Sequence, residues 1–183
     1  MIVIALLAFA AFKANTLLFQ KPQYHEMVPI IAMMNESVAG DILQLGANTY
    51  VTPLLPRLCG YRRTLFTIDT NKKTLKRAKQ LVTSPHHKFR YVQKWDTIPT
   101  QKFYGIVAMT HPLYRHSKDI QRFRNNAYII ITPLFPSKTC FKYTVKISMF
   151  GKPIHVLSNF IDVATLLRPF VMLDHPIIPP HPH

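Results

Sequence analysis

Apolar positions between residues 21 and 168 follow two periods, and the two periods take turns along the chain. Residues 41–45 (DILQL), 63–68 (RTLFTI), 89–92, 104–109 (YGIVAM) and 127–131 (AYIII) are short β-rich runs. The stretches between them have helical spacing. Residues 22–37 set Met and Ile at that spacing around Pro29, and residues 49–59 predict a short helix from Pro53 with Thr52 as its cap. Residues 71–82 put Leu75, Ala78 and Leu81 or Val82 on the inner side of a strongly basic helix, and residues 116–123 supply another. Strands alternating with helices predict right-handed crossovers and an α/β fold with a mostly parallel twisted sheet, covered on both faces. Residues 141–148 and 152–158 leave this rhythm, as two extended runs that meet at Gly151 and predict a C-terminal antiparallel hairpin.

Composition narrows the class. With 183 residues, 48% apolar and 17% charged, the chain has enough core-forming material for one domain and is neither a disordered arm nor a collagenous repeat. Cys59 and Cys140 lie far apart without ligand spacing, which predicts free, packed thiols and no metal site. Three segments follow. Residues 1–20 are an apolar leader (MIVIALLAFAAF, then Lys13, then 17–19), read as a signal anchor, a membrane-lying helix or a helix packed on the domain. Residues 21–168 are the α/β domain. Residues 169–183 are a Pro/His-rich tail in which His175, His181 and His183 sit on an extended terminus.

Charge speaks to partners. There are 23 Lys+Arg against 8 Asp+Glu, a net +15, which favours an anionic partner of the class of RNA, a phosphorylated glycan or a membrane surface. The basic helix carries Lys72, Lys73, Lys76, Arg77 and Lys79. Lys88, Arg90, Lys94, Arg115, His116, Lys118, Arg122 and Arg124 extend the excess to other segments. No RNP-like, KH-like or zinc-finger pattern accompanies them.

In an open parallel sheet a ligand binds outside the carboxyl ends of the strands, near the point where strand order reverses. Those ends carry Gly46, Asp69, Asp96 and the Thr110-His111-Pro112 corner. Gly46 would let backbone approach an anion or cofactor, Asp69 could accept both hydroxyls of a ribose, and Asp96 after Trp95 could meet an adenine amino group. The plainer readings are a turn glycine and an acid that caps the next helix. Taken in order, these segments resemble the class I S-adenosylmethionine-dependent methyltransferases over roughly residues 24–166. DILQLGANTYVTPLL resembles the first strand and cofactor loop, RTLFTIDTN the second strand with its ribose-binding acid, and YVQKWDTIP the segment bordering adenine. The likeness extends to Thr110-His111, to Asp119-Ile120-Gln121-Arg122-Phe123 and to Ser158-Asn159-Phe160-Ile161-Asp162.

The resemblance implies a Rossmann-like methyltransferase fold, S-adenosylmethionine as cofactor, and cofactor contacts from Gly46, Asn48, Tyr50, Asp69, Thr70, Trp95 and Asp96. It also implies a methyl acceptor that could be a glycan hydroxyl. A hydroxyl acceptor needs a base, for which His111 is the candidate, with Asp96 and Asp119 behind it. The chain departs from the family pattern at Gln44 and Asn48 in the first loop, at Thr110 after the fourth strand, and at Thr132-Pro133-Leu134-Phe135 after the fifth. These departures keep open a second class, a non-catalytic basic scaffold on the same fold. Oligomeric state is not legible in the sequence.

Overall fold

The computed structural model describes residues 24–134, 141–148 and 153–169. The leader, the tail beyond residue 169, Cys140, Phe135 and the expected hairpin tip at Gly151 lie outside them. Seven strands form one sheet in the order β3-β2-β1-β4-β5-β7-β6. They are β1 (Ile42–Leu45), β2 (Leu65–Asp69), β3 (His87–Tyr91), β4 (Tyr104–Met109), β5 (Ala127–Thr132), β6 (Tyr143–Ser148) and β7 (Pro153–Ser158). The first five run parallel, while β7 is antiparallel to both β5 and β6. Strand order therefore reverses between β1 and β4, which places the switch point beside Gly46 and Thr110.

Helices α1 (Met27–Ser37), α2 (Val51–Cys59) and α5 (Val163–Leu167) pack on the face that carries Ile42, Leu65, Ile106 and Ile129. Helix α3 (Lys72–Gln80) joins them, with Leu75 and Ala78 set against Ala47 and Phe89. On the other face α4 (His116–Phe123) buries Ile120 and Phe123 against Tyr104, Val107, Met109 and Ile130. The connection from β3 to β4 brings no crossover helix, only a 3-10 turn at Trp95–Thr97.

Several boundaries differ from the sequence-based expectation. The first helix begins at Met27, because Tyr24 takes a positive φ of 67° and Glu26 is the cap; Pro29 then falls in the first turn, where its missing N–H costs nothing. Helix α2 begins at Val51, and Thr52, expected as its cap, is a buried residue inside it. Helix α5, which follows the Asp162 cap, has no counterpart in the sequence-based expectation. Cys59 is a buried free thiol that burial holds up to about 12. Among the described residues no helix is long and apolar enough to cross a membrane.

Candidate functional site at the carboxyl edge of the sheet

The ends of β1 and β2 are tied together by one side chain. Asp69 closes β2 and is buried; its Oδ2 accepts the Ala47 amide at 2.8 Å and its Oδ1 accepts the Asn71 amide at 2.8 Å. Asn71 is the helix cap, accepting from the Lys73 and Thr74 amides. Asp69 is therefore released from capping. Each of its oxygens holds one donor and has capacity for a second, so the carboxylate fits a pair of hydroxyls. Thr70 lies beside it, half-buried.

Gly46 has φ +94° and passes against the strand end of β4. A Cβ there would stand 2.7 Å from the Thr110 carbonyl carbon and closer still to the His111 backbone. The close approach that the glycine permits is thus between β1 and β4 of the chain itself. Thr110 fastens the same junction: its amide donates to the Leu45 carbonyl at 2.7 Å and its hydroxyl to the Gly46 carbonyl. Beyond Gly46, Asn48 Oδ1 accepts the Tyr50 and Val51 amides at the start of α2, and Thr52 Oγ1 accepts the Asn48 amide. Asn48 performs the capping expected of Thr52, and Tyr50 stays 56% exposed at the rim.

Gln44 is the centre of a buried polar ladder across the sheet. Its Nε2 donates to Thr110 Oγ1 at 3.0 Å, and its Oε1 accepts the hydroxyls of Thr52 at 2.9 Å and Thr67 at 3.0 Å. Thr67 Oγ1 meets His87 Nε2 at 2.7 Å, and burial holds His87 down to about 4, so the ring is a neutral donor here. An amide satisfies two hydroxyl donors and one acceptor at once, which a carboxylate could not do.

The corner after β4 carries an enclosed dyad. His111 Nε2 and Asp119 Oδ2 are 2.7 Å apart with neither side chain exposed. Burial would raise the Asp119 carboxyl, but the hydrogen bond from His111 and the guanidinium groups of Arg122 and Arg115 bring it below the ordinary carboxylate range. Arg122 Nη1 donates to Asp119 Oδ1 at 2.9 Å and Arg115 Nη2 at 3.2 Å. The His111 ring stacks on His116 at 4.6 Å, meets the edge of Trp95 at 4.8 Å, and leaves Nδ1 buried without a hydrogen-bond partner among the described residues. His116, counted above among the basic positions, is fully buried and held down to about 4 by burial; its Nε2 donates to the His111 carbonyl and its Nδ1 meets Thr132 Oγ1.

Asp96 stands apart from this interior. Arg115 at 2.8 Å and Lys118 at 3.0 Å pair with it, and their hydrogen bonds bring its carboxyl down to about 2. Arg122 also donates to the Trp95, Asp96 and Ile98 carbonyls, so it pins the turn after β3 onto α4. The sequence-based reading missed these fastening roles of Arg115 and Arg122, since both look like surplus surface charge. The spacing Arg115-Asp119-Arg122 on one helical face was the available signal. Gly46, Asp69, Trp95 and His111 thus meet at one edge of the sheet, with Asn48 and Tyr50 at its rim and Asp96 turned toward α4.

No family model matches the sequence, and no curated protein matches it. Solved structures do match. A Klebsiella pneumoniae protein assigned as an O-methyltransferase aligns with a TM-score of 0.59 at 9% identity over 74% of this chain and 79% of that one. Human methyltransferase-like protein 13, solved in complex with SAH, aligns at 0.56 and 11% identity over 85% and 97%. The M. capricolum TrmK, solved with S-adenosylhomocysteine, aligns at 0.50 and 10% identity over 70% of this chain and 66% of its own length. The fold is that of the Rossmann-like methyltransferases, with parallel strands and a terminal antiparallel pair.

Proposed function

We propose that this chain binds S-adenosylmethionine at the edge formed by Gly46, Asp69 and Trp95, and transfers its methyl group to a hydroxyl acceptor of the glycan class. The observation that carries the reading is the Asp69 carboxylate, buried at the end of β2, fixed by the Ala47 and Asn71 amides and still able to accept two hydroxyl donors. Bound there, S-adenosylmethionine supplies an electrophilic methyl on a sulfonium that departs as a neutral thioether. The chain's own residues hold the nucleoside: Asp69 with Thr70 beside it for the ribose, Trp95 for the apolar wall, and Asn48 and Tyr50 at the rim. Asp96, whose Oδ1 is held by Arg115 and Lys118, has its Oδ2 to offer an adenine amino group.

A hydroxyl acceptor must lose a proton, and His111 is the base this reading uses. Asp119 fixes the proton on Nε2 and leaves the Nδ1 lone pair for the acceptor. Because that ring is enclosed by Trp95 and His116, the transfer requires one of them to move aside. The same enclosure favours a second reading, in which the fold serves as a non-catalytic basic scaffold. Calorimetry with S-adenosylmethionine and S-adenosylhomocysteine separates the two. Binding that Asp69→Ala abolishes without loss of the folded state supports the first, and no heat at millimolar ligand overturns it. Labelled methyl transfer to an oligosaccharide panel, lost in His111→Gln, tests the acceptor.

A further inference from the structure

We infer that the outer side of α3 and the adjoining edge of β3 form a docking surface for single-stranded nucleic acid, held through its phosphates and a stacked base. This stands independently of the cofactor reading. The argument begins with what α3 has left to offer. Its apolar residues, Leu75 and Ala78, are spent against Ala47 and Phe89, so the outward side is Lys72, Lys73, Lys76, Arg77 and Lys79, all exposed. Strand β3 is the open edge of the sheet, and on it and just after it Lys88, Arg90 and Lys94 are exposed. Lys88 lies over the Phe66 ring, 5.8 Å from its centroid, on a stretch of sheet that the helix-free β3–β4 connection leaves uncovered. The cations therefore turn around one strand edge from both faces.

Of the eight Asp and Glu side chains in the sequence, five are engaged elsewhere. Asp41, Asp96 and Asp119 pair with Lys102, Arg115, Lys118 and Arg122, Asp162 caps α5, and Asp69 holds backbone amides. Among the described residues none of the cations of α3 and β3 forms an ion pair. One or two lysines suffice to guard an edge strand against stray pairing. A surplus of this size without counter-charge instead matches the spaced negative charge of a phosphodiester chain. At the end of β3, Tyr91 is 39% exposed and carries the Lys72 ammonium 4.7 Å from its ring centroid. An aromatic ring interleaved with cations is the arrangement on which bases stack while phosphates are neutralised. A lipid surface fits less well: among the described residues the large apolar side chains exposed on this face are Tyr91 and, just past the end of α3, Leu81, too few to enter a bilayer, and the charges wrap an edge that a flexible strand follows better than a plane does.

The test is fluorescence anisotropy of the full chain with a labelled, mixed-sequence RNA of about 20 nucleotides, longer than a site of this size class. Two charge-matched variants are compared: Lys73→Gln/Lys76→Gln/Lys79→Gln on α3, and Lys142→Gln/Lys146→Gln/Arg168→Gln at the opposite end of the sheet. The expected result is salt-dependent binding that the α3 variant weakens about tenfold or more, its log–log salt slope falling by about 0.7 for each phosphate that is no longer neutralised. The distant variant should stay within about twofold, and Tyr91→Ala should weaken binding several-fold without altering the salt slope. Thermal melts establish that each variant is folded. Equal weakening by both charge variants would reduce the site to net charge and overturn the proposal. So would failure to bind RNA at about 50 mM salt, or binding only to vesicles containing phosphatidylserine that the α3 variant abolishes.

Discussion

At the scale of single residues, the junction between β1 and β4 admits little change. Gly46 combines a φ of +94° with a neighbouring backbone that leaves no room for a methyl group. Gly46→Ala is expected to lower the unfolding free energy by roughly 3 kcal/mol or more, measured by urea denaturation, because strain and overlap with backbone cannot be relieved by rotating a side chain. Asp119 poses a different problem. Removing it leaves His111 and two guanidinium groups around a position whose own side chain is fully buried. Asp119→Ala is expected to cost about 3–5 kcal/mol in the same measurement. Asp119→Asn, which keeps an acceptor oxygen, should cost less, and equal losses would show that charge rather than hydrogen bonding holds the corner. The Gln44 position illustrates how a departure from a family pattern becomes structure: a neutral amide serves where its hydroxyl neighbours need both donor and acceptor.

At the scale of elements, legibility follows the strength of the local signal. Tyr104–Met109 and His116–Phe123 occur with the boundaries expected of them, since one is an unbroken apolar run and the other a sharply amphipathic turn-bounded helix. The start of α1 is hidden because Pro29 reads as an interruption when its turn position is unknown. The cap of α2 is hidden too, because capping depends on which oxygen reaches which amide, and Asn48, four residues before Thr52, reaches first. Helix α5 is illegible because five residues hold less than two turns of pattern. Asp69 is legible as a strand-end acid, whereas the Arg115 and Arg122 fastenings are not, as they depend on the tertiary position of the turn after β3. Asn71 offers a clean measure of one cap: Asn71→Ala removes two accepted amides from α3 and is expected to cost about 1 kcal/mol in urea denaturation, with Asn71→Ser recovering most of it.

Across the whole molecule, three buried histidines on different strands and helices couple stability to pH in one direction. Burial holds His87, His116 and His155 each down to about 4. The unfolded chain takes up these protons as pH falls through about 6.5, the folded chain only near 4. Between those values the unfolded state binds more protons, so unfolding free energy rises with pH across the window and is lost as pH falls. Each histidine contributes at most on the order of 2–3 kcal/mol to that loss. Asp119 acts lower on the scale: its folded carboxyl lies below the ordinary value, so its contribution is present above about pH 4 and declines beneath it. The expected profile is a plateau above about pH 7, a steep fall from about 6.5 to 4, and a continued decline below. Urea unfolding at about pH 7.5, 5.5 and 4.5 checks it, and His116→Gln, which keeps a donor toward the His111 carbonyl, should flatten part of the middle slope. A profile equally flat in both proteins would mean that these imidazoles reach water in the folded state and take up their protons there as readily as in the unfolded chain.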